Sequence, residues 1–157
     1  MAVEAVQQAP DVTLADYDRK PKALSEFRGK NVVLAFMPGA FTGVCTKESC
    51  TFRDSAAQFN DLNAQVVGVT IDAPASQKAW ADSLQLNFPF LSDYARKAVN
   101  AYGVDLPNWN GMEGFTSARR SVFVIDKDGV VRWSWVAPVN TEEPNYDEIN
   151  KVLAGLK

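Results

Sequence analysis

Two short segments restrict the fold of this chain more than any others. Asn31 to Met37 (Asn-Val-Val-Leu-Ala-Phe-Met) and Gln65 to Ile71 (Gln-Val-Val-Gly-Val-Thr-Ile) are nearly continuous apolar runs of strand length. They lack the alternation of a half-solvated strand, so each needs cover on both faces, as parallel strands in α/β sheets have. Between them the period becomes helical. Cys45, Phe52, Ala56, Phe59 and Leu62 share one face, which predicts a helix from Gly43 to about Leu62. The loop Pro38-Gly39-Ala40-Phe41 precedes it, with Thr42 at the N-cap position. Further on, Ala75 to Leu86 reads as a helix entered through Pro74, Phe88 to Leu91 as a short strand, and Asp93 to Tyr102 as a helix stopped by Gly103. Asp105 to Ala118 reads as a loop. Ser121–Ile125 and Val130–Val136 form a hairpin about Asp126-Lys127-Asp128-Gly129, and Tyr146 to Leu156 is a closing helix. Val12 to Phe27 reads as a short hairpin and residues 1–10 as a loose tail. The sum is one α/β domain over residues 1–157, with a mixed central sheet covered by helices on both faces.

Composition then removes most chemistries. The chain has 157 residues, 16 Lys plus Arg, 19 Asp plus Glu and a net charge of −3, against the basic excess that nucleic-acid binding shows. It has no histidine and two cysteines, so Ser-His-Asp or Cys-His catalysis is excluded, as are zinc sites built from four cysteines or from two cysteines and two histidines. No metal site is expected. No apolar stretch reaches the roughly 18 residues of a membrane span, and the first ten residues lack the basic start and apolar core of a signal peptide. A cytoplasmic location follows by default, and there two thiols should be mostly reduced. Trp80, Trp109, Trp133 and Trp135 read as packing rather than a cofactor box. Gly111-Met112-Glu113-Gly114 lacks the spacing of a phosphate cradle.

Covalent chemistry must therefore rest on the remaining nucleophiles, and Cys45 is the most informative of them. It falls in the first turn of the predicted helix, where the first amide N–H groups have no helical partner and an anion is favoured. Thr42-x-x-Cys45 has the spacing of a capping box with a thiolate in the acidic role. A small buried hydrophobe on the core face is the equally open alternative. Cys50 lies five residues on, about 140° around the helix and about 7.5 Å along it. Its face carries Asp54, Ala57 and Asp61, the more polar side. The two sulfurs cannot bond while the helix is intact, because a disulfide needs convergent Cβ atoms.

The stretch Pro38-Gly39-Ala40-Phe41-Thr42-Gly43-Val44-Cys45 matches the signature Pro-x-x-x-Thr-x-x-Cys and resembles that of the peroxiredoxins, the alkyl hydroperoxide reductase and thiol-specific antioxidant family. The resemblance extends along almost the whole chain, through Ala9–Leu14, Leu24–Lys30, Phe88–Asp93, Tyr102–Val104 and Arg120–Asp126. It implies a thioredoxin-like fold and reduction of hydroperoxides at a cysteine, with no cofactor. It implies that Cys45 is the peroxidatic thiol, that Thr42 directs its hydroxyl at the substrate oxygen, and that Pro38 shields the oxidised sulfur from water. Arg120 would hold its guanidinium beside Cys45, and Glu48 would orient it. Strand alternation says that only one of Arg119 and Arg120 faces the pocket; the resemblance selects Arg120. Trp109 and Phe115 are candidates for an apolar entrance, or equally for a dimer contact.

No C-terminal arm with a second cysteine follows the last helix, so a resolving thiol supplied by such an arm is not expected. The Cys45-x4-Cys50 spacing resembles the bacterioferritin comigratory protein subgroup. The Phe41–Cys45 and Phe88–Asp93 stretches look closer to one-cysteine alkyl hydroperoxide reductase-like members. An intramolecular Cys45–Cys50 disulfide is the favoured expectation, recycled by thioredoxin or a similar thiol reductant. Resolution by an external thiol is the first alternative, and a non-peroxidase redox or holdase module on the same fold the second. The expected partners are thus a hydroperoxide, a thiol reductant and a second copy in a homodimer, with neither nucleic acid nor membrane.

Overall fold

The computed structural model describes residues 5–156. Its core is a seven-stranded mixed sheet of β1 (Thr13–Ala15), β2 (Pro21–Ala23), β3 (Asn31–Phe36), β4 (Ala64–Thr70), β5 (Phe90–Ser92), β8 (Ser121–Ile125) and β9 (Val131–Val136), in the order β2-β1-β5-β4-β3-β8-β9. The two apolar runs are β3 and β4, paired parallel at its centre, with β8 antiparallel on the other side of β3. Every residue of β3 is buried. Its side chains divide by the strand period: Val32, Leu34 and Phe36 enter one core, Val33 and Ala35 the other.

The second of these cores takes Cys45 and Phe52 from α1 (Gly43–Asp54), Phe59 from α2 (Ala56–Asp61), Trp80 from α3 (Pro74–Leu84), and Ile149 and Leu153 from α5 (Tyr146–Leu156). The first takes Ala98 and Val99 from α4 (Lys97–Ala101), together with Tyr102 and Val104. Gly68 leaves the space that the Phe90 ring fills, and a Cβ there would collide with that ring. No described helix is long and apolar enough to cross a membrane.

The structure departs from the sequence reading in four places. The helix expected over Gly43–Leu62 is two helices, broken at Ser55, whose hydroxyl donates to the Thr51 carbonyl at 2.9 Å. A serine bonding back four residues competes with the helix and bends it. The helix expected over Asp93–Tyr102 shrinks to α4. The buried Asp93 carboxylate accepts from the N–H groups of Ala98 and Val99, and Arg96 takes a left-handed φ of 59°. The loop over Asp105–Ala118 is closed at its ends by a strand pair, β6 (Asp105–Leu106) and β7 (Ser117–Ala118).

The tail expected to be loose over residues 1–10 is tied down where it is described; residues 1–4 lie outside the described residues. Val6 N–H donates to the Val131 carbonyl at 2.6 Å, Val131 N–H to Gln7 at 2.8 Å, and Ala9 N–H to Gly129 at 2.9 Å. The β9 edge would otherwise present unpaired backbone groups, and the tail covers it while burying Ala9.

Candidate active site

The parallel pairing of β3 with β4 sends the chain out of the sheet at the C-terminal end of β3, directly into Pro38–Phe41 and α1. Three bonds fix this loop. Ser117 Oγ donates to the Pro38 carbonyl at 2.5 Å, Ala40 N–H donates to Asp72 Oδ2 at 2.8 Å, and Thr42 Oγ1 donates to the Gly39 carbonyl at 2.7 Å. Phe41 holds a left-handed φ of 63°, rare for a bulky side chain. Thr42 is the N-cap residue of α1 with extended φ/ψ, and its carbonyl accepts from Thr46 N–H at 2.9 Å. It makes no side-chain cap, and its hydroxyl donates instead to the Gly39 carbonyl. The capping box expected from Thr42-x-x-Cys45 is therefore not formed. The free N–H groups at the helix start remain available to another acceptor.

Cys45 is fully buried in the first turn. The cation beside it comes from β8. That strand runs antiparallel to β3, pairing Ser121 with Phe36, so its first residues lie where β3 ends and α1 begins. Arg120 precedes Ser121 and turns inward at 2% exposure, whereas Arg119 is exposed. Arg120 Nη2 stands 3.3 Å from Cys45 Sγ, and Nη1 donates to Glu48 Oε1 at 2.8 Å. Nε donates to the Asn140 carbonyl at 2.9 Å, while the Arg120 backbone N–H donates to Asn140 Oδ1 at 2.6 Å. Four contacts thus fix the planar fork of one side chain and its backbone. Asn140 lies in the loop after β9 and carried no signal in the sequence.

Glu48 follows Cys45 by three residues on the same helical face and is fully buried. Its Oε2 has no hydrogen-bond partner among the described atoms. Burial pushes its carboxyl up to about 7, against the pull of Arg120. Burial also works against the Arg120 charge, but Cys45 and Glu48 outweigh it and the guanidinium is held above its ordinary range.

Cys50 is half-buried on α1, and both thiols are free. The structure does not bring Cys50 to Cys45, since an intact helix separates them. Trp109 and Phe115 do form one aromatic unit, with ring centroids 5.8 Å apart. Trp109 lies across the loop: a Cβ on Gly39 would meet its Cη2 at 3.0 Å. Arg96 sits over the far side of this unit, 5.6 Å from the Phe115 ring.

A chain with this arrangement has many relatives. The model of the AhpC/TSA family matches residues 5–134. Peroxiredoxin Q, chloroplastic, from Populus jackii is 39% identical over 150 residues, covering 96% of this chain and 68% of that one. A putative peroxiredoxin of Mycobacterium tuberculosis is 36% identical over 124 residues, 79% of each chain. Among solved structures, peroxidoxin BcpB from Mycobacterium tuberculosis superposes with a TM-score of 0.88 at 29% identity, covering 99% of both chains. A peroxiredoxin-like protein from Aquifex aeolicus also gives 0.88, at 28% identity and 100% and 90% coverage. The fold is that of these proteins, and the chain belongs to the AhpC/TSA family, the peroxiredoxins, which are thiol-dependent peroxidases.

Proposed function

We propose that Cys45 is the peroxidatic thiol for hydrogen peroxide and organic hydroperoxides, and that Cys50 resolves it. The observation that carries this reading is the 3.3 Å contact between Arg120 Nη2 and Cys45 Sγ at the start of α1. The guanidinium and the unpartnered helix amides both favour an anionic sulfur. The thiolate attacks one peroxide oxygen, the O–O bond breaks, and the sulfur becomes a sulfenic acid while the other oxygen leaves as hydroxide or alkoxide and takes up a proton. Negative charge moves from sulfur to the leaving oxygen, and donors already aimed at that space stabilise it without reorganising. Thr42 Oγ1, its own proton held by Gly39, is left as an acceptor and orients the peroxide O–H. Buried Pro38 closes the sulfur off from water. Trp109 and Phe115 form the apolar wall that an alkyl hydroperoxide would meet.

Resolution follows when the first turn of α1 unwinds. The Cys50 thiolate attacks the Cys45 sulfur, water leaves, and a disulfide forms. A thioredoxin-like thiol then returns both cysteines to the reduced state by exchange. Free thiols suit a reducing compartment, and the cytoplasm is the one we assign. A homodimer would bury Phe41, which is 61% exposed beside the site; sedimentation velocity should show a two-chain species, and a monomer at all concentrations would reject it.

Cys45→Ser should abolish peroxide consumption in an assay coupled to thioredoxin and its reductase. Arg120→Met should slow the first oxidation by about a hundredfold or more, the scale of losing one preset charge donor. Cys50→Ser should keep the first oxidation and lose turnover. Retained turnover in the Cys45 variant would reject the reading. The raised Glu48 carboxyl gives a pH prediction of definite sign. The folded chain holds that proton up to about 7, while the unfolded chain releases it near the ordinary value of 4.5. Folding therefore takes up a proton in this window, and stability falls as the pH rises through it. Urea unfolding of Glu48→Gln should lack that slope; a slope identical to that of the parent would refute the assignment.

A further inference from the structure

The proposed resolving step requires the first turn of α1 to come apart, so what holds that turn wound controls the step. Besides the core packing of Cys45, three polar side-chain contacts among the described residues tie residues 43–47 to elements outside the loop and the helix itself. One is the Arg120–Cys45 contact, which oxidation alters by turning a thiolate into a neutral sulfenic acid. One is an ion pair from Lys47 to Glu143 at 3.1 Å, where the lysine side chain is 73% exposed and the pair is worth little. The third is the bond from Trp80 Nε1 to Thr46 Oγ1 at 3.2 Å, which no redox change touches.

Trp80 is well placed to hold. It is 1% exposed in α3, with the Phe90 ring 5.1 Å away by centroids and the Phe41 ring at 6.4 Å. Its helix is pinned to the sheet one turn earlier, where Gln77 Nε2 donates to Thr70 Oγ1 at 2.8 Å and to the Leu91 carbonyl at 2.9 Å. Thr46 is the residue next to Cys45. Its backbone N–H closes the first helical bond, on Thr42, so one residue carries both the first helical bond and the tie to Trp80. The Phe41 contact adds the left-handed residue of the loop to the same fixed ring.

We propose that Trp80 is a positioning residue that latches the first turn of α1, and so sets how oxidised Cys45 divides between two fates. In one, the turn unwinds, Cys50 attacks the sulfenic sulfur, and disulfide and water form. In the other, the turn stays wound, a second peroxide molecule oxidises the sulfenic acid to sulfinic acid, and water or alcohol leaves. A stronger latch favours the second fate. The inference rests on the proposed role of Cys50.

The test uses the full chain, reduced and then mixed with increasing hydrogen peroxide, with disulfide and sulfinic products counted by intact mass. Thr46→Val deletes the hydrogen bond while keeping shape, and Trp80→Phe deletes it from the other side with a smaller ring. Each should form the disulfide roughly fivefold faster and need roughly fivefold more peroxide for half over-oxidation, as expected for a neutral hydrogen bond. The double variant should change no more than either single one, because both remove the same bond. The first oxidation should be unchanged. Ile149→Val, in the same core but on α5 and without a part in the Trp80–Thr46 bond, should lower the melting temperature and leave the division of products alone. Unchanged or reversed division in both single variants, or an equal shift in Ile149→Val, overturns the latch. If the parent chain forms no disulfide at all, the reading of Cys50 falls and the latch with it; disulfide formation that ignores Thr46 and Trp80 overturns the latch alone.

Discussion

A single buried guanidinium organises the site. Arg120 is carried by the strand β8 and grips the helix α1 at two points, the Cys45 sulfur and the Glu48 carboxyl, while Asn140 fixes it from behind. A cation placed out of water is tolerated only where anions and acceptors meet it. One positive charge here faces two groups able to be negative. Burial raises the Glu48 carboxyl toward neutrality, against the pull of Arg120. In a chain without histidine, a strand register and a helix start thus bring one arginine to a buried cysteine.

The packing that holds Cys45 beside Arg120 opposes the step we propose for Cys50. The thiol belongs to a packed core with Phe52, Trp80 and Phe90, and Cys50 is separated from it by an intact helix. In the proposed cycle, reaction with peroxide uses the wound helix, and disulfide formation the unwound one. The break at Ser55 ends α1 soon after Cys50, so the unit that would open in the proposed step is short. Local opening of this kind draws on a segment with few fixed contacts, and the first turn of α1 has three polar ones beside the packing of Cys45.

Much of this was legible in the sequence, for physical reasons that differ by element. The central strands announced themselves because burial on both faces leaves no polar position in Val32–Met37. The helix start after Thr42 was legible because the apolar period changes there. What was not legible depends on side chains answering backbone groups far away or off period. Ser55 breaks a helix that the apolar period alone would continue, Asp93 gathers the amides of α4, and the tail pairs with the β9 edge through main-chain bonds with no side-chain signature. Choosing Arg120 over Arg119 needs the register of β8 against β3, which strand alternation narrows but does not supply. Asn140 and the Trp80–Thr46 bond are three-dimensional facts only.

The most direct measurement is the intact mass of the reduced protein after one equivalent of hydrogen peroxide, followed by peptide mapping. Loss of two hydrogens, with Cys45 joined to Cys50, is the predicted result. A stable gain of one oxygen on Cys45, with Cys50 still free, would contradict resolution within the helix and leave the sulfenic acid to an external thiol.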